Sequence, residues 1–281
     1  MMFKRSAKTL LIGLVLGLFF QVPHLSAQET LGGSDEEILK FATPEVLQRA
    51  RDGDAVAQMM IGGAWVGGKS GRPNHANAKY WLQLSADQGL SIAQVQLGTL
   101  HQSGLLGESD FETAAGLFEK AAEQGDPMGA LRLSELYFSG RGVEKDDVES
   151  ARLMKQAADG DIPVASHYYA DMLSGGHGVA KDDTKALQYY VKAAEAGWPE
   201  SARTLAVLYF AGKVTEKDNV ASSKWLHVAA GVLGENDGLT RQFALAILPN
   251  LSAEEISQGN DWAIEFIAAN EEKISAARSM R

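Results

Sequence analysis

Small and apolar side chains return along this chain in two alternating helical patterns, and the pair of patterns itself repeats. Counted from a glycine as position zero, positions 5, 8, 9 and 12 hold Ala130, Leu133, Ser134 and Tyr137 in one unit and Ala202, Leu205, Ala206 and Tyr209 in another. A third unit places Gln94, Leu97, Gly98 and His101 there. Spacing of i, i+3, i+4, i+7 is one face of an α-helix, here helix A. Helix B follows, with a large apolar residue one turn before a small pair: Trp81 before Ser85-Ala86, Leu117 before Ala121-Ala122, Leu153 before Ala157-Ala158, Tyr189 before Ala193-Ala194 and Trp225 before Ala229-Ala230. Between B and the next A stands a glycine, at 53, 89, 125, 160 and 197, with intervals of 36, 36, 35 and 37 residues. A period of this size predicts an all-α solenoid in which each unit buries its apolar face only against its neighbours.

The punctuation agrees. A glycine at position 15 (Gly68, Gly104, Gly140, Gly175, Gly212) marks the end of helix A, where a left-handed residue is called for. Loops then carry Lys145-Asp146-Asp147, Lys181-Asp182-Asp183 and Lys217-Asp218-Asn219, which place a short polar side chain to cap helix B; Asp146 and Glu149 have the spacing of a capping box. Small residues at position 9 (Gly62, Gly98, Ser134, Ala206) admit a close second helix.

Ends of such a stack must be atypical. Residues 28–42 read as a flexible lead, and Thr43-Pro44-Glu45 as a helix start with proline in the first turn. The repeats occupy 43–237, and 238–281 read as polar capping helices. There Pro249 stops a sixth helix A, and Ser252-Ala253-Glu254-Glu255 opens one long helix to about Arg278, packed through Trp262, Phe266 and Ile267.

These motifs, A-x-x-L-G/A-x-x-Y-x-x-G in helix A and A-x-x-W/Y/L-x-x-x-A-A-x-x-G in helix B, resemble those of the Sel-one-like repeat family of tetratricopeptide-like solenoids. The likeness covers residues 53–233. It implies a right-handed solenoid of helix-turn-helix repeats of about 36 residues and, by analogy with relatives that scaffold signalling or envelope complexes, a protein or peptide partner. Some cysteine-rich relatives are linked to β-lactams, through a disulfide framework that this cysteine-free chain lacks.

Composition adds location. Lys4, Arg5 and Lys8 precede an apolar run from Leu10 to Phe20 and a Leu25-Ser26-Ala27 exit, which predicts a signal peptide over 1–27. The run is too short to span a bilayer, so no membrane insertion is expected after cleavage. Export without cysteine points to a Gram-negative periplasm, with secretion as the alternative. Cleavage removes three of the 26 basic residues and none of the 36 acidic ones, moving the formal charge from −10 to −13. That balance disfavours nucleic acid and anionic membranes, which bind cationic patches.

Chemistry is sparse. The five histidines beyond the signal, 75, 101, 167, 177 and 227, form no metal-helix pair, and no nucleophile elbow or phosphate loop is present, so no enzyme, metal or cofactor is expected. His101 takes a tyrosine place in its repeat and reads as half-buried; His177 reads as a solvated loop residue. With positions 5, 8, 9 and 12 buried, positions 3, 7 and 10 line the groove: Ile92, Gln96, Thr99; Met128, Arg132, Glu135; Pro163, His167, Ala170; Glu200, Thr204, Val207. From these, Gln96, Thr99, Arg132, Glu135, His167 and Thr204 are the candidate partner contacts of a periplasmic adaptor or regulator. An envelope hydrolase or β-lactam-binding protein, and a secreted factor acting on another cell, are the rival readings.

Overall fold

Constant spacing organises the chain. The computed structural model describes residues 31–69, 71–234 and 237–280, so the expected signal peptide lies outside the described residues. A short α1 (Asp35–Ile38) and α2 (Pro44–Arg51) lead into five helix pairs. These are α3 (Ala55–Val66) with α4 (His75–Asp87), α5 (Ser91–Ser103) with α6 (Phe111–Glu123), α7 (Pro127–Ser139) with α8 (Asp147–Asp159), α9 (Pro163–Gly175) with α10 (Asp183–Glu195), and α11 (Pro199–Ala211) with α12 (Asn219–Leu233). Then come α13 (Gly238–Ile247), a 3-10 turn at Leu248–Asn250, α14 (Ala253–Ala269) and α15 (Glu271–Ser279). Helices A begin at 55, 91, 127, 163 and 199, always 36 apart.

That regularity corrects the fourth unit. The left-handed residue at the B-to-A junction is Gly53, Gly89, Gly125 and Gly197, with φ of 94°, 89°, 85° and 89°, but at the remaining junction it is Asp161, with φ 60°. Gly160 sits one residue early, at φ −82°. A short acidic side chain tolerates the left-handed region better than most residues, so the slot survives there without its glycine. Likewise Gly176, not Gly175, is the left-handed end of α9, and Gly176-His177-Gly178-Val179 matches Gly140-Arg141-Gly142-Val143 with no insertion. The second glycine of that loop signature lies on the preceding helix B: a Cβ on Gly142 would strike the Phe111 carbonyl and one on Gly178 the Asp147 carbonyl.

Within each pair the helices cross at two small residues sixteen apart: Gly62 and Ala78, Gly98 and Ala114, Ser134 and Ser150, Ala170 and Ala186, Ala206 and Ser222, all buried. Where hydroxyls occur they are satisfied at once. Ser134 donates to the Ser150 carbonyl (2.8 Å), Ser150 to that of Ser134 (3.0 Å) and Ser222 to that of Ala206 (2.7 Å).

Helix B starts at caps that also keep the 36-residue step. Asn74, Asp110, Asp146, Asp182 and Asp218 each accept a backbone N–H from the first turn. The capping box at Asp146 is only half formed, because Glu149 pairs with Arg152 at 2.6 Å instead of reaching back. Ser252 and Glu255 complete theirs.

Two terminal expectations change. Residues 31–42 are seated on the first repeat: Gly32 donates to Asn77 Oδ1 (3.2 Å), its carbonyl accepts from Trp81 Nε1 (2.7 Å), and Ile38 is buried. Gly32 and Gly33 have φ of 98° and 90° and press on the Trp81 and Trp65 indoles, where a Cβ would collide. The long final helix is two helices. Asn270 Nδ2 donates to the Phe266 carbonyl (2.9 Å), ends α14 and turns the chain into α15. Trp262 and Phe266 stack at 5.0 Å and meet Trp225 edge-on, fixing α14 on α12 as expected.

Gly98→Ala puts a Cβ 2.6 Å from the Phe118 ring, whereas Gly116 faces open space. Chemical denaturation of Gly98→Ala is expected to show a loss of about 1–3 kcal/mol from overpacking, and Gly116→Ala a gain of about 0.5–1 kcal/mol from helix propensity. Asp161→Gly relieves the left-handed position and gives up only the exposed Lys192 pair, worth about 0–1 kcal/mol. Calorimetry should find its Tm raised by up to about 3 °C.

Candidate functional site

With zero set by the left-handed slot, positions 3, 7 and 10 of the A helices hold Met128, Arg132 and Glu135 on α7, Val164, Tyr168 and Asp171 on α9, and Glu200, Thr204 and Val207 on α11, of which Val164 is buried. The first and third triplets are those the sequence predicts. The α9 triplet is shifted by one, since Gly160 set its count. A one-residue shift turns a helix by about 100°, which moves His167 off the groove.

His167 is instead packed between α9, α10 and α11. Its Nδ1 lies 2.9 Å from Ser201 Oγ, its Nε2 3.7 Å from Asp171, and its ring 5.7 Å from Tyr190 and 6.5 Å from Trp198. Burial pushes its pKa below the ordinary 6.5; Asp171 and Glu200 oppose that and Arg203 adds to it. His101 is half-buried as expected, and burial lowers its pKa too.

Two cavities open on the A face. One of about 510 Å³ is bounded by Met128, Arg132, Val164, Tyr168, Trp198 and Met280. A second, of about 720 Å³, lies toward the loops, with Phe138, Met154, Asp171 and His177 in its wall. Glu135 and Tyr168 belong to both, so the two form one trough across repeats three and four. Arg132 Nη1 is 3.1 Å from Glu135 Oε2. Tyr168 is 44% exposed, and Phe138 55%, both large apolar surfaces left open beside carboxylates. The Tyr168 phenol is raised first by burial and then by Glu135, Asp171 and Glu200, which places it in a negative field.

Of the six predicted contacts, only Arg132 and Glu135 line this trough. Thr99 and Thr204 spend their hydroxyls on their own helices, at the carbonyls of Val95 (2.8 Å) and Glu200 (3.1 Å). Gln96 is half-buried against Gly63, outside both cavities. Two residues were missed. Tyr168 was lost to the register shift. Trp198 occupies the N-cap position held by Asp54 and Asp126 in other repeats, makes no cap hydrogen bond, and is buried with its indole N–H unpartnered. An aromatic at a capping position was the available signal. Among the described residues no group of three or more His, Asp or Glu could hold a metal ion, and no helix is long and apolar enough to cross a membrane.

A Sel1 repeat model matches this chain five times, over residues 55–90, 91–126, 127–161, 163–198 and 199–230. Among solved structures, a Sel1 repeat protein from Oxalobacter formigenes is 27% identical with a TM-score of 0.64, covering 81% of this chain and 92% of that one. A protective antigen present in uropathogenic Escherichia coli strains, displaying an SLR fold, is 22% identical with a TM-score of 0.54. The match covers 84% of this chain and 58% of the antigen's chain. No curated protein matches in sequence.

Because His167 is held neutral, the unfolded chain takes up a proton that the folded chain resists, so stability falls as pH drops below about 6.5. His167→Gln is expected to flatten that part of the profile when urea midpoints are compared between pH 7.5 and 5.5. His101, shifted the same way, leaves a residual slope.

Proposed function

The chain belongs to the Sel1 repeat family, and from that premise we propose that it is a periplasmic adaptor or regulator that holds a segment of a partner protein in the A-helix trough. Sel1 repeats generally mediate protein–protein interaction. The observation that carries the reading to this surface is the contrast between faces. Positions 9 of helix A hold only Gly, Ala or Ser in all five repeats, while the free face changes from one repeat to the next and gathers Arg132, Glu135, Tyr168 and Asp171 around a trough. A scaffold repeats what it buries; what varies is free to read a ligand.

Periplasmic location is proposed from the basic start, short apolar run and Ala27 exit together with the absence of cysteine. Fractionation of cells expressing the whole chain separates this from secretion, which would put the protein in the medium.

Affinity capture from envelope extract with residues 28–281 as bait tests the trough. Arg132→Ala, Glu135→Ala and Tyr168→Ala together are expected to weaken capture of the partner at least tenfold, about 1.4 kcal/mol, while Lys120→Ala on the exposed side of α6 changes nothing. Equal capture by both variants would remove the trough from the interface.

A further inference from the structure

The C-terminal helix is not part of the seal on the end of the stack. That work is done by α14, which lies along α12 through Trp262 and Phe266. After the turn at Asn270, α15 runs back over the groove side. Its Ile274 backbone lies against Gly197, so closely that a Cβ there would stand 2.8 Å from Ile274 Cα. Ile274 and Ala277 are buried, at 4% and 1% exposure, in the same core as Trp198 and Val232. Arg278 donates to the Val232 carbonyl at 2.7 Å. Ser279 and Met280 then reach the cavity bounded by Met128, Arg132 and Trp198.

Nine residues do not make a stable helix in water. Ordering of α15 therefore depends on its seat, and the seat is what a helix-binding groove offers: a large aliphatic anchor, a small residue three on, and a third contact three further, at 274, 277 and 280. The seat is also underfilled. Met280 stays 43% exposed beside a cavity of about 510 Å³, in whose wall Trp198 stands. An occupant that fills this space with a larger apolar side chain buries more apolar surface than α15 does and is favoured over it.

We propose that α15 is a resident occupant of the groove, and that an amphipathic helix of the partner, with apolar residues at i, i+3 and i+6 and the last of them large enough to fill the cavity beside Met280, displaces it about Asn270. This deepens the adaptor reading and rests on it for the existence of a partner. Binding is thereby coupled to release of the chain's own C-terminal segment, since both compete for one surface.

The test uses a fluorescent synthetic peptide of residues 269–280 as the probe and chain 28–281 as the receptor. Ile274→Glu with Ala277→Glu unseats α15, and anisotropy is expected to show the peptide binding this variant at least tenfold more tightly than the unaltered chain. A peptide carrying Met280→Phe, which fills more of the cavity, is expected to bind more tightly again. Hydrogen exchange on the unaltered chain guards against a misfolded variant: saturating peptide should strip protection from the amides of residues 271–279 and leave α7 and α9 protected. Equal binding to both receptors, no binding to either, or unchanged protection of 271–279 with peptide bound would overturn the displacement. Failure here with successful capture from envelope extract sinks the α15 mechanism alone, whereas failed capture sinks the adaptor reading whatever the peptide does.

Discussion

Two helices can lie close along their length only where neither carries a bulky side chain at the crossing, and in this chain every repeat meets that constraint with the same device. A glycine, alanine or serine on helix A faces an alanine or serine sixteen residues later on helix B. Packing density in a helix pair is set at such points, because a single methylene there displaces a ring or a backbone. Phe118 against Gly98 and Leu82 against Gly62 show how little room remains. Once the pair is fixed at this distance, its large residues, among them Leu97, Phe118, Leu153, Leu205 and Leu226, become fully buried.

That economy explains where recognition can reside. Helix A spends one stripe on its own B helix and on its neighbours, and the remaining stripe is packed less completely, with Val164 buried but Tyr168 and Asp171 exposed. Around α7, α9 and α11 this stripe is neither uniformly polar nor uniformly apolar, and it carries exposed aromatic surface next to three carboxylates. Exposed aromatics at the centre of a concave surface are the residues that most often dominate protein recognition. The same surface is partly claimed by the chain's own final helix, which is why the C-terminal segment belongs to the functional description and not only to the scaffold.

Most of the architecture is legible in the sequence because it is written five times. The caps at Asp146, Asp182 and Asp218, the capping box at Ser252 and the tryptophan packing of α14 all follow from local chemistry that needs no tertiary context. What escapes is what departs from the repeat. Asp161 holds a conformation that a reader assigns to glycine, and with Gly160 adjacent the count slips by one, carrying Tyr168 out of the groove and His167 into it. Asn270 breaks a pattern that is helical on both sides, since its side chain competes for the Phe266 carbonyl. The seating of residues 31–42 rests on Gly33 meeting the Trp65 indole and Gly32 that of Trp81, 49 positions away, a contact that no local signal announces.

The buried apolar residues fall into two bodies that meet within α6. Leu117 belongs with the N-terminal body, which runs from Ile38 through the first two repeats, while Phe118, one residue on, belongs with the C-terminal body that extends to Ala277. Both cavities of the trough, and the helix that partly fills one of them, are built entirely from residues 128–280 and so lie on one side of this seam. The Phe118 ring lies on Gly98 of α5, so the two bodies are joined across the seam at a point with no room for one more carbon, and the first two repeats stay out of the reading surface.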